Sequence, residues 1–177
     1  MPLWLWIVII VLVALIVIAA IAWFETRRRR TRELRKEFGP EYEHAVSAHG
    51  DRGRAEDELE ARRKRVEQLQ IHPLAPEERQ RFSEQWHAAQ AHFVDEPSRA
   101  IAEADTLVRQ AMQARGYPVG DFEQRAADVS VDHPTVVREY RQAHAASVRN
   151  ERGEATTEDL RQAMVHYRAL FDDLLAA

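Results

Sequence analysis

PSRAIAEADTLVRQAMQARG, residues 97–116, carries a helix start, a helix face and a helix stop in one stretch. Pro97 suits a first turn, where its missing N–H costs no hydrogen bond. Ile101, Ala104, Leu107, Val108, Ala111 and Met112 recur at steps of three and four, which places them on one side of a 3.6-residue helix. Gly116 can close it in the left-handed conformation.

The same punctuation repeats on both sides. Upstream, Pro76 is followed by Glu77 and Glu78, which suit a positive helix N-terminus, and Phe82, Trp86, Ala89 and Phe93 share a face. Downstream, Asp121 with Gln124 resembles a capping box opening a short helix around Phe122, Ala126 and Val129. Asp132-His133-Pro134 starts a fourth helix with Val136, Val137, Tyr140, Ala143 and Val148 inward. Thr156-Thr157-Glu158-Asp159 starts a fifth, whose apolar set is Leu160, Met164, Tyr167, Leu170, Phe171 and Leu174. No period-two run of β-branched residues occurs outside the N-terminal apolar segment, so residues 76–177 are expected to form an all-α bundle of about five helices.

Residues 25–75 have a different character. Gly39-Pro40 breaks any helix running on from the N-terminus, and Pro40 can open a short one with Phe38, Tyr42 and Val46 on one side. His49 to Gly53 reads as a turn. In residues 55–70, Ala55, Leu59, Arg62, Val66 and Leu69 follow coiled-coil spacing, but Arg62 interrupts the seam and two heptads are too few. A solvated helix leaning a thin stripe on its neighbour is expected, acting as a charged neck that spaces the bundle from a bilayer. Pro73 and Pro76 then mark the boundary with the bundle.

The first 24 residues are an anchor by this reading. No charge occurs from Leu3 to Phe24, and residues 4–24 as helix span about 31 Å, matching the roughly 30 Å hydrocarbon thickness. Trp4, Trp6 and Trp23 stand where interfacial aromatics hold a helix. A cleavable export signal ending at Ala20-Ile21-Ala22 is the competing reading, against which stand the missing basic residues before the run and its length. Seven basic and two acidic residues lie between Glu25 and Lys36, Arg27, Arg28, Arg29 and Arg30 among them, and none before the span. The positive-inside rule therefore puts the C-terminal side in the cytoplasm, at the plasma (inner) membrane, with the N-terminus outside. Such a collar attracts anionic lipid headgroups. The body beyond it, residues 37–177, is acidic within a chain of net charge -4, which argues against a nucleic acid partner and for a body standing off an anionic surface.

FGPEY (38–42), RGYP (115–118), DFEQRAADVSVDHP (121–134) and TTEDLRQAMVHYRALFDDLL (156–175) resemble an uncharacterised family of bacterial single-span membrane proteins with a C-terminal helical domain. The resemblance covers nearly the whole chain and implies that architecture; it implies no activity, substrate or cofactor.

Catalytic chemistry finds little to stand on. The chain has no cysteine, and its six glycines form neither a phosphate loop nor a dinucleotide fingerprint. Ser130 lacks the glycine elbow of a hydrolase nucleophile. Glu41/His44 and Glu84/His87 have the i, i+3 spacing of carboxylate-bridged metal bundles, with Glu103 and Glu139 as further carboxylates, but two such pairs are near the chance number for this composition. His144 and His166 are expected as packing residues beside Tyr140 and Tyr167. No catalytic, cofactor or metal residue is therefore assigned. Tyr117, Pro118 and Phe122, on a connection between helices, form a protein-binding patch if exposed; packing beneath that connection is the competing reading. The sequence points to a membrane-anchored helical interaction or adaptor protein. A metal-binding or enzymatic bundle using buried His and Glu is the alternative.

Overall fold

The computed structural model describes the backbone of residues 3–176 and the side chains from Leu12 onwards. Among the described residues there are eight helices and no strand: α1 (Leu3–Phe38), α2 (Pro40–His49), α3 (Arg52–Val66), α4 (Pro76–His92), α5 (Pro97–Ala114), α6 (Phe122–Asp132), α7 (Val137–Glu151) and α8 (Thr157–Ala176). The all-α class follows from the caps and stripes read above. Asp51 and Asp121 each accept the N–H three residues on, Arg54 at 2.8 Å and Gln124 at 3.0 Å. Thr156 and Asp159 cap α8 reciprocally, Thr156 N–H donating to Asp159 Oδ2 (2.9 Å) and Asp159 N–H to Thr156 Oγ1 (3.2 Å).

Helices α4 to α8 close round one large core. Every member of the α5 stripe is buried, as is the α8 set from Leu160 to Leu174. Trp86 of α4 stacks on Phe171 of α8, with ring centroids 4.6 Å apart, and Phe82 meets the same ring edge-on at 6.4 Å. Tyr140 of α7 and Tyr167 of α8 meet at 6.2 Å. These rings bury large area with geometry-specific contacts, so they fix how the helices pair.

Boundaries differ from expectation in two places: α3 spans Arg52–Val66 where the spacing predicts a turn over 49–53 and a helix over 55–70, and the start of α7 lies further on. The fourth helix of the bundle begins at Val137, not at residues 132–134. His133 instead ends α6, its N–H bonded to Val129 O (2.9 Å), and its ring is buried. Nδ1–H donates to Asp173 Oδ2 (2.6 Å) and Nε2 accepts from Arg115 Nη1 (3.2 Å), tying α6 to the ends of α8 and α5. A tertiary role took the residue that local spacing had assigned to a helix start.

The neck is folded back on itself. Helix α1 runs unbroken from the apolar segment through the arginines and into a second core, where Leu34, Phe38, Tyr42, Ala45, Ala55 and Leu59 are buried together. Gly39, at φ 47°, turns the chain so that α2 returns along α1, with Arg35 Nη2 on Glu43 Oε1 at 2.8 Å. Gly50 turns it again, and α3 runs beside α1 in the same direction: Arg30 meets Asp57 at 2.8 Å and Arg63 meets Glu37 at 3.5 Å. The neck is thus a three-helix unit rather than an extended stalk. The second turn of α3, at Glu56 and Asp57, sits level with Thr31 and Arg30, about 10 Å along α1 from Phe24.

Among the described residues no helix is long and apolar enough to cross a membrane. Their apolar run, residues 12–24, is about 20 Å long as helix, short of the roughly 30 Å required, and the side chains before it lie outside the described residues. Described residues therefore do not by themselves carry the expected anchor, 1–24. Along that run the large side chains are exposed, Leu15 at 61% and Ile18 at 62%, and nothing in the fold covers them.

Candidate functional site

Two places gather chemistry-bearing side chains. The first is the seam where neck meets bundle. Glu41, buried at 2% exposure, receives Arg141 of α7 through both guanidinium nitrogens (2.7 Å each) and Arg62 of α3 at 2.8 Å. Arg62 also reaches Glu58, which His49 contacts from the other side. Burial pushes the Glu58 carboxyl up, but the hydrogen bonds and charges of Arg62 and His49 together outweigh it and hold the group below its ordinary value. Below this, Arg65 Nε donates to the fully buried Asp128 of α6 at 2.9 Å. Two arginines on one buried carboxylate satisfy its lone pairs, so the seam is an ionic staple.

The second place is the collar. Trp23 and Phe24 are exposed by more than half, and the guanidinium carbons of Arg27 and Arg28 lie over those rings, 4.2 and 4.8 Å from the centroids. Arg29 is exposed and Arg30 is held by Asp57. The side chains of Trp4 and Trp6 lie outside the described residues.

No protein-family model, curated protein or solved structure matches the chain. What the site can do must come from its own geometry.

The patch residues split. Tyr117 is buried, and its hydroxyl donates to Asp132 Oδ2 at 2.5 Å. Burial first, then that bond, push its pKa far above the tyrosine range. Phe122 is half-buried, stacked on His144 at 3.7 Å and tilted against Tyr140 at 5.1 Å. Pro118 is intermediate in exposure. The connection is packed down, so Tyr117 offers no surface to a partner in this conformation.

The histidine–carboxylate pairs are dispersed. Glu41 is taken by two arginines, and His44 faces solvent. Glu84 and His87 are exposed, Glu84 accepting from Gln80 at 3.0 Å. Glu103 binds Arg99 and His92, at 2.9 and 2.8 Å, on the α4–α5 surface. Glu139 contacts its neighbour Arg138 at 3.3 Å. Among the described residues no three His, Asp or Glu side chains are placed to hold a metal ion. His144 packs as expected, and burial lowers its pKa. Sequence reasoning missed the staple altogether. Arg62 as a charge on an apolar seam was its one visible trace.

Proposed function

We propose that this is a membrane-anchored helical interaction protein of adaptor type, its N-terminus outside and its bundle on the cytoplasmic face. The observation that carries this reading is the unbroken α1, which joins an exposed apolar run rigidly to a folded core. An uncovered apolar surface of that size needs an apolar environment. Trp23 and the arginines after it stand at the end of the run, where aromatic belts and positive-inside residues stand in spans of this orientation. Because α1 enters the neck core, and the neck is stapled to the bundle, the bundle is held near the bilayer rather than loosely tethered. Such holding concentrates whatever the bundle binds at the membrane.

Four measurements test it. A C-terminal reporter enzyme that works only outside the cytoplasm is expected to stay inactive, and the mature chain is expected to retain its first residues; activity, or a mature N-terminus at Trp23, overturns the reading. Crosslinking of the full chain against a version lacking residues 1–30 is expected to give different partner sets. Stoichiometric iron, manganese or zinc in the purified protein would replace the adaptor reading with the metal-binding one.

A further inference from the structure

The fold-back of the neck creates something that a linear collar lacks. Between α1 and the first turn of α3 lies a cleft of about 810 Å³, within the 300–1,000 Å³ usual for small-molecule sites. Five arginines line it, Arg27, Arg28, Arg30 and Arg32 from α1 and Arg52 from α3, with three carboxylates. Each carboxylate is already engaged. Asp57 holds Arg30 at 2.8 Å, Asp51 caps α3 through Arg54 N–H at 2.8 Å, and Glu56 accepts from Thr31 Oγ1 at 2.7 Å and Tyr42 OH at 2.8 Å. Among the described residues Arg27, Arg28, Arg32 and Arg52 have no carboxylate within ion-pair distance, so the cleft has four guanidinium groups without an anion.

Position narrows the occupant. Trp23 and Phe24, which form the apolar end of the cleft, are also the last residues of the apolar run. Arg27 and Arg28 hold their guanidinium groups over those rings, and a guanidinium so placed has further N–H groups with which to donate. An occupant must therefore be anionic at one end, rich in acceptor oxygens, and apolar where it meets Trp23. Resting on the membrane reading above, we propose that this cleft binds the phosphate of one anionic phospholipid, with Arg32 and Arg52 closing on the headgroup from two helices. Arg52 is what separates a site from a diffuse collar. It lies 20 residues beyond Arg32 in sequence and reaches the membrane surface only because α2 turns back.

The test uses the full chain. Flotation with phosphatidylcholine vesicles reads the membrane placement alone; failure to float overturns that placement, and the cleft proposal with it. For protein that floats, native mass spectrometry in neutral detergent, with phosphatidylglycerol and phosphatidylcholine competing, reads the cleft. One phosphatidylglycerol is expected to be retained preferentially. Arg52→Ala and Arg32→Ala are each expected to lower that preference about tenfold, the scale of one charge-assisted hydrogen bond. Arg29→Ala, in the collar but outside the cleft lining, is expected to change it no more than about twofold on the screening of exposed charges. Equal losses for Arg29→Ala and Arg52→Ala would mean a diffuse collar and overturn the site. So would millimolar inorganic phosphate displacing the lipid, which would make this a free-phosphate site. Arg32 and Arg52 are exposed, so both variants are expected to fold, with helical circular dichroism as the check and Arg52→Lys as a partial rescue.

Discussion

The bundle and the neck are both helical, yet different forces hold them. The bundle surrounds a continuous core that includes Trp86, Ile101, Met112, Tyr140, Tyr167 and Phe171. The neck core is a cluster of six buried apolar residues, four of them large, and the neck takes its place against the bundle through Glu41 with Arg62 and Arg141, and Asp128 with Arg65. Area removed from water is non-directional and survives small changes, whereas a buried carboxylate needs its particular partners. The bundle should therefore fail as a whole, and the neck should be able to detach from it.

The largest expected effect breaks the bundle side. Trp86→Ala removes a ring stacked between helices and is expected to cost about 3–5 kcal/mol, seen as a single lower unfolding transition for the bundle. Next comes Glu41→Gln. It leaves Arg141 without an anion and Arg62 with Glu58 alone, and is expected to cost about 3 kcal/mol, as for breaking a buried ion pair. The loss should be local: hydrogen exchange should rise in α2 and α3 while α5 and α8 keep their protection. Uniform loss across all helices would show that neck and bundle are one cooperative unit.

A third change acts on the joint. Gly116 sits at φ 97°, and a Cβ there would collide with the Gln70 carbonyl oxygen, where the connection from the neck crosses the end of α5. His72 N–H donates to Arg115 O at 3.0 Å in the same crossing. Gly116→Ala is expected to cost about 1–3 kcal/mol through the left-handed backbone and that contact, measured by chemical denaturation. An unchanged midpoint would mean that the connection is free to lift.

The smallest effect is a pH slope. Burial depresses the pKa of His144, Arg125 adds to that, and Asp105, Glu151 and Glu123 oppose it. The unfolded chain then takes up the proton more readily, so stability is present above the ordinary histidine value near 6.5 and is lost as pH falls through the lowered value. His144→Phe keeps the stacking on Phe122 and should flatten the fall of melting temperature as pH drops below about 6.5. Superimposable profiles for the two proteins would rule out this residue as the source of the slope.

Much of the fold could be read in the chain, and the reason is local. The stripes of α4, α5 and α8 and the caps at Asp121 and Thr156 lie within a few residues of what they act on, so spacing alone exposes them; the cap at Asp51 reads only as part of a turn. The start of α7 was misplaced because His133 answers to Asp173 and Arg115, 40 and 18 residues away. Of the candidate site residues, Arg27 and Arg28 line the cleft as collar residues, whereas Tyr117 is folded inward. Arg32 and Arg52 were not singled out, since nothing near Arg52 in sequence marks it as a neighbour of α1.

Sequence by itself determined the helices, most of their ends, the apolar run and the basic collar after Phe24, because propensity, periodicity and capping act over one or two turns. Tertiary structure alone decided that the neck folds back and that Glu41 meets Arg141, 100 residues further along the chain. A charged side chain on a helix surface has many possible partners of opposite sign. Which one it meets depends on how the apolar faces have brought the helices together, and a buried carboxylate tolerates few of the alternatives.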